Sequence, residues 1–286
     1  MPSLIDIRRR IRSVKSTQQI TRAMKLVSAA KLRRAQDRVL AARPYSAELA
    51  KLLADVARSA KTDERLVHPL LAERPAARIQ LILITADRGL AGAFNSNLIK
   101  AAQQFLAEQA GKHVELEAVG RKGSDFFRKR HGAMSGERVG MTEKANYAYA
   151  ADIAKKIIAR FTAGEIDAVY LLYNEFKSVM TQRLVVSRIL PVELPPAAET
   201  AIEFIFEQPP AQMLDKLLPR YVEITIYQAL LESGAAQQAA RMTAMDAATS
   251  NAAEMIDNLT LYMNRVRQAS ITREIIEVVS GAAGVE

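Results

Sequence analysis

The 286-residue chain contains no cysteine and no tryptophan, and only 6% of it is aromatic. Without cysteine there is no disulfide framework, no thiol nucleophile and no thiolate ligand for a metal. So few aromatics are thin equipment for stacking on single-stranded nucleic acid. The histidines His68, His113 and His131 lie far apart with no acidic companions at ligand spacing, so they read as surface residues and no metal site is expected. No stretch of about 18 uninterrupted apolar residues occurs, which excludes a membrane-spanning helix. Also missing are G-x-G-x-x-G, G-x-x-x-x-G-K-[ST] and G-x-S-x-G, and no carboxylates stand at a spacing that picks out an acid/base pair. These absences argue against catalysis and leave no expected cofactor.

What is present is a globular balance of 49% hydrophobic and 25% charged residues. The formal charge of +9 is uneven. Twelve Lys or Arg stand against Asp6 and Asp37 between Met1 and Arg43, while Arg241 to Glu286 holds four against six acids. The basic run IRRRIRSVKSTQQITRAMK suits nucleic-acid phosphates, an anionic membrane or an acidic protein surface. An apolar stripe inside it implies that the basic residues flank a protein seam. The Arg-rich, acid-poor start is shared with mitochondrial targeting segments, but its pattern runs unbroken into the following helix, so it reads as mature protein.

That stripe, Leu4, Ile7, Ile11 and Val14, resumes at Ile20, Met24 and Val27. Spacings of three and four mark one face of a long helix reaching Pro44, where a kink or restart is expected, followed by a run over Tyr45–Ser59. The other end mirrors this. Met245, Ala248, Ala252, Ile256, Leu259, Met263 and Val266 are separated by threes and fours, and Ile271, Ile275, Val278 and Ala282 continue the spacing. No Pro or Gly interrupts Ala235 to Ser280, which predicts a helix from about Pro219 to Ser280, roughly 90 Å at about 1.5 Å per residue. Two such rods at opposite ends most simply wrap each other as an antiparallel coiled coil, with a helical bundle as the alternative.

Between them the periodicity changes. ARIQLILITA, HVELEAVG, DAVYLLYNEF and QRLVVSRILPV read as strands, and LIKAAQQFLAEQAG, GSDFFRKR and NYAYAADIAKKIIARFTAG as helices. This alternation implies a small α/β layer of parallel character. ELPPAAET and EQPPAQ read as Pro-rich connectors back to the rod. Two strand-to-helix loops, Asp87–Asn97 and Gly120–Phe127, sit where phosphate is often bound, but neither has a phosphate fingerprint. They read as tight turns, with Gly89 and Gly92 supplying unusual backbone conformations in the first.

MPSLIDIRRRIRSVKSTQQITRAMKLVSAAKLRRAQ at the start, ITADRGLAGAFNSN after the first strand, and ARMTAMDAATSNA with RQASITREIIEVVSGA at the end together resemble the gamma subunits of bacterial F-type rotary ATP synthases. The resemblance spans essentially the whole chain. It implies α/β plus long helices: an antiparallel coiled coil of the N- and C-terminal helices with an inserted Rossmann-like α/β domain. The expected divisions are residues 1–60, 75–200 and 210–286.

By the same resemblance the chain is a non-catalytic central shaft. Its expected partners are a ring of three alpha and three beta subunits, the epsilon subunit and the membrane ring of c subunits, with no nucleic acid. Met24 and Lys25 match the segment facing an acidic loop of beta, and Arg241, Arg267, Gln268 and Thr272 match polar contacts to beta. Ile275, Ile276, Val278, Val279, Ala282 and Ala283 form an apolar tip that turns inside a sleeve. Absence of cysteine argues against the thiol control of plastid members. The expected location is peripheral, on the cytoplasmic face of a bacterial plasma membrane.

Overall fold

The computed structural model describes residues 3–60, 68–142, 145–193 and 208–283. The chain divides into two compact units, Met1–Ser28 with Met242–Glu286, and Ala29–Arg241. Helix α1, Leu4–Ala60, and helix α5, Pro210–Ala283, each contribute residues to both. α1 opens with a reciprocal cap: the Asp6 amide donates to Ser3 Oγ at 3.2 Å, and the Asp6 carboxylate accepts from the Ser3 hydroxyl and amide at 2.7 and 3.3 Å. Those hydrogen bonds hold the Asp6 carboxyl below its usual range.

The expected restart at Pro44 does not occur, for α1 is continuous over 57 residues. A proline inside a helix removes the donor to the carbonyl four residues earlier. Here that carbonyl belongs to Leu40, and both Leu40 and Pro44 are exposed, so water can supply the lost partner. Helix α5 likewise begins at Pro210, ahead of the expected start, and passes through Pro219. The first expected connector lies almost wholly in 194–207, outside the described residues, and the second is already entering α5.

In the smaller unit the two helices run antiparallel. Lys25 Nζ meets Asp246 Oδ1 at 2.6 Å, and Thr21 Oγ1 meets Thr249 Oγ1 at 2.8 Å, so residue numbers fall on one helix as they rise on the other. Within the smaller unit the buried or half-buried positions of α1 include Leu4, Ile7, Ile11, Val14, Gln18, Thr21, Lys25 and Ser28, a repeat alternating threes and fours, with Met24 half-buried beside it. Ile20 and Val27, expected in this seam, are 57% and 56% exposed. Each sits one residue off the repeat, so the heptad phase set by Leu4 to Val14 turns them outward and puts Thr21 and Ser28 inside. On α5 the facing stripe includes Met245, Ala252, Ile256, Leu259, Met263 and Val266.

The larger unit holds a five-stranded sheet. Its strands are β1 Arg78–Ile84, β2 His113–Val119, β3 Met134–Arg138, β4 Ala168–Phe176 and β5 Gln182–Leu190, in spatial order β3-β2-β1-β4-β5. Strands β1 to β4 pair in parallel, whereas β5 returns antiparallel to β4 as an edge. The intervening helices are α2 Phe94–Glu108, α3 Arg121–Phe127 and α4 Tyr147–Thr162. Ile82, Ile84, Val169 and Leu171 share one buried cluster with Ile153, Ile157 and Phe161 of α4 and with Leu214, Leu218, Val222, Ile226 and Leu230 of α5. Each such fully buried side chain contributes about 1.5–3 kcal/mol.

A polar chain also joins α4 to the sheet. Arg138 reaches Glu117 at 2.7 Å and Asp152 at 2.6 Å, Gln80 donates to Glu117 at 2.9 Å, and Arg160 donates to Gln80 at 2.9 Å.

Candidate functional site

The loops where a phosphate would bind are already occupied by the chain's own side chains. The Asp87 carboxylate accepts from the amides of Arg121 and Gly140 at 3.1 and 2.9 Å and from the Thr142 hydroxyl at 3.0 Å. Asn95 Oδ1 accepts from the Ala86 amide at 3.0 Å, closing the loop on itself. A carboxylate in that place repels phosphate. Within the loop Gly92 has φ 54° and Leu90 φ 62°, so Leu90 rather than Gly89 takes the left-handed position. In the second loop the Gly123 amide donates to Thr85 Oγ1 at 2.9 Å, and the Thr85 hydroxyl fills the cradle.

The histidines are scattered. His68 is half-buried, not on the surface as expected: its Nδ1 accepts from the Leu70 amide at 3.1 Å, and its Nε2 lies 3.3 Å from Asp215. Burial lowers its pKa, with Asp215 opposing. His131 is also half-buried, with Nε2 3.0 Å from the Val114 carbonyl, and His113 is exposed. Among the described residues no group of three or more metal-ligating side chains gathers.

The residues expected to meet partners are not brought to one spot. Met24 and Lys25 are half-buried beside the seam, and Lys25 is already paired with Asp246, at side-chain exposures of 39% and 55%. Such a pair is worth about 0–1 kcal/mol, so an outside carboxylate can compete for the ammonium. Arg241 is buried at 6%, with Nη1 3.2 Å from Gln238 Oε1 and Nη2 3.5 Å from the Arg88 carbonyl. It sits in the larger unit and braces α5 against the Asp87 loop.

Arg267, Gln268 and Thr272 are exposed, and the Thr272 hydroxyl donates to the Gln268 carbonyl at 2.9 Å. Every residue from Ile271 to Ser280 is exposed. Ile275, Ile276, Val278 and Val279 stand at 57%, 58%, 72% and 62%. Ala282 and Ala283 continue the helix, but their side chains lie outside the described residues.

Inward-turned Thr and Ser displaced apolar residues outward, a signal that the sequence carried in its heptad phase. Ile5, Ile20, Leu26 and Val27 on α1, with Leu261 on α5, are 56–67% exposed. An isolated exposed Leu or Ile needs no explanation, but a succession along one slender helix pair marks a surface that is covered in use.

The family described as ATP synthase matches residues 3–285. The chain is 64% identical to the ATP synthase gamma chain of Solibacter usitatus and 52% identical to that of Pelotomaculum thermopropionicum, in each case over 100% of both sequences. Among solved structures it is similar to a chain of the Tetrahymena thermophila mitochondrial ATP synthase central stalk and c-ring, with 25% identity, a TM-score of 0.61, and 80% of this chain and 99% of that one covered. A chain of the Euglena gracilis mitochondrial ATP synthase shares the fold, with a TM-score of 0.68 over 99% of this chain and 94% of that one at 18% identity. With its antiparallel helix pair, its α/β insert and relatives this similar over the whole length, the chain belongs to the ATP synthase gamma-chain family.

Proposed function

We propose that this chain is the central rotor shaft of a bacterial F-type ATP synthase. It transmits torque between the c-ring in the membrane and the catalytic ring of alpha and beta subunits, and takes no part in the phosphate chemistry itself. The observation that carries this reading is the exposed apolar surface of the smaller unit, continued by the unpaired end of α5. Dispersion and hydrophobic contact depend little on rotation angle, whereas each directional hydrogen bond, about 0.5–1.5 kcal/mol net, would hold a shaft at particular angles. Ile275, Ile276, Val278 and Val279, with Ala282 and Ala283 assigned from sequence, serve as the bearing.

Polar contacts are the exceptions that let beta sense the angle. Met24 and Lys25 face an acidic loop of beta, and Arg267, Gln268 and Thr272 offer a cation, an amide and a hydroxyl to its polar groups. Arg241, whose guanidinium also meets Gln238 and the Arg88 carbonyl, is a further polar contact to beta. One asymmetric shaft inside three chemically identical beta subunits necessarily presents a different face to each. A step of rotation therefore changes which beta binds nucleotide most tightly.

Residues 1–60 and 210–286 form the shaft, and 75–200 the domain toward epsilon and the c-ring. The complex places the chain peripherally on the cytoplasmic face of the plasma membrane. Among the described residues no helix is long and apolar enough to cross a membrane.

Produced with alpha and beta subunits of the same complex, the chain should co-purify with their ring. A bead on a thiol introduced by Lys112→Cys should turn when ATP is hydrolysed. A static bead on an actively hydrolysing ring would refute the shaft reading, and nucleotide hydrolysis by the chain alone would refute its non-catalytic role.

A further inference from the structure

Strand β1 pairs with β4 only as far as Leu172, yet β4 continues to Phe176. There both backbone groups of Phe176 are taken by side chains from the long helices. Its amide donates to Glu232 Oε2 of α5 at 3.0 Å, and its carbonyl accepts from Arg43 Nη2 of α1 at 3.1 Å. Arg43 and Glu232 also meet each other, Nε and Nη2 donating to Oε1 at 3.2 and 3.0 Å. Two helices and a strand end are thus joined through one guanidinium and one carboxylate. Glu232 is 2% exposed, while the Arg43 side chain is 41% exposed. Tyr173 of β4 lies near the same carboxylate, and burial first, then Glu175 and Glu232, push its hydroxyl up to about 12.

A buried carboxylate is a poor means of gaining stability, since well-packed apolar side chains of similar volume often do as well. What a fork of directional bonds adds is a fixed angle. The apolar contacts around it, Leu230 and Ile226 against the sheet core, tolerate small rotations and slippage. The bonds to Phe176 do not.

We propose that the Arg43–Glu232–Phe176 junction is the torsional coupling of this rotor, the place where rotation of the sheet domain is passed to the paired helices without slack. Arg43 and Glu232 are positioning residues, acting through the angle they hold. This inference rests on the shaft reading above. It also contrasts with the tip, where the same physics calls for bonds to be absent.

The test uses the assembled alpha, beta and gamma complex with the ring immobilised and a bead on Lys112→Cys, a site on the exposed turn before β2 and the sole thiol of this chain. With the catalytic sites locked by a non-hydrolysable ATP analogue, the angular variance of the bead varies inversely with rotor stiffness. Glu232→Gln and Arg43→Gln are each expected to widen the variance at least about twofold, and the double variant no further than either alone, because the residues act as one unit. Arg43→Lys keeps the charge but loses the fork, and should fall between wild type and Arg43→Gln.

ATP hydrolysis by the unloaded complex should be unchanged, and exchange of the Phe176 amide should quicken in Glu232→Gln. Unchanged variance in Glu232→Gln and Arg43→Lys overturns the proposal, as does an additive increase in the double variant. A wild-type bead that never turns under ATP refutes the shaft reading instead, so the two failures are distinguishable.

Discussion

Gly120→Ala isolates the geometry that makes the second loop a turn and not a phosphate cradle. Gly120 has φ 106° and ψ 139°, a region open essentially to glycine alone, and holding alanine there costs about 1–3 kcal/mol. A Cβ at this position would also lie 2.7 Å from the Thr85 carbonyl carbon and 2.8 Å from its hydroxyl, atoms in backbone and a buried side chain that cannot swing away. Relieving the overlap costs about 1–3 kcal/mol more. Separating the segments weakens the bonds from the Thr85 amide to the Val119 carbonyl and from the Gly120 amide to the Arg138 carbonyl, both 2.7 Å, at about 1 kcal/mol each.

The sum is about 4–8 kcal/mol, a large part of the about 5–15 kcal/mol that holds a typical domain together. Gly111→Ala is the control, because Gly111 has φ 94° with nothing within 4 Å of its Cβ position, leaving only a strain of about 1–2 kcal/mol. Amide hydrogen exchange at Ile82, Leu83 and Ile84 in the full chain reads the opening free energy of the central strand for both variants. A difference between them below about 1 kcal/mol would refute the steric argument.

Acid stability should report Asp167, whose carboxyl is held below its usual range first by hydrogen bonds from the Arg78 side chain at 3.2 and 2.7 Å, and also by the Arg78 amide at 2.8 Å. A depressed folded pKa means the unfolded chain binds the extra proton first, so the stabilisation is full above the unfolded value of about 3.9 and is lost as pH falls through the folded one. The gap in urea midpoint between wild type and Asp167→Asn should therefore be wide at pH 7 and narrow at pH 3, and an equal gap at both would contradict it. Deleting residues 277–286 should loosen the bearing yet leave rotation, since seam contacts from Ile7 to Met245 persist; loss of assembly with an intact fold would count against this. Met24→Lys should add a cation at the acidic loop of beta and impair coupling more than assembly, and an unchanged ratio of protons pumped per ATP would sink that assignment.

The periodicities of three and four carried α1 and α5, and the short apolar runs carried β1, β2, β4 and β5, because those signals belong to single segments and their solvent-facing sides. Strand β3 was not legible: MSGER has a glycine and charges, and it is a strand because β2 offers an open edge. The antiparallel turn of β5 was equally hidden in a run of apolar residues that reads the same in either direction. Met24, Lys25, Arg241 and the tip came from motifs, but the motifs did not say that Arg241 is buried or that Lys25 already holds Asp246.

By itself, then, the sequence determined two long helices around an α/β insert, the basic start, and the lack of a nucleotide fingerprint. Only the tertiary structure decided that Thr21 meets Thr249, and that Arg43 and Glu232 close the end of β4. The reason is that periodicity is local, set by the 3.6 residues of a helical turn. Which distant hydroxyl meets Thr21, and which distant carboxylate finds which guanidinium, depends on a partner segment some 200 residues away that local pattern does not encode.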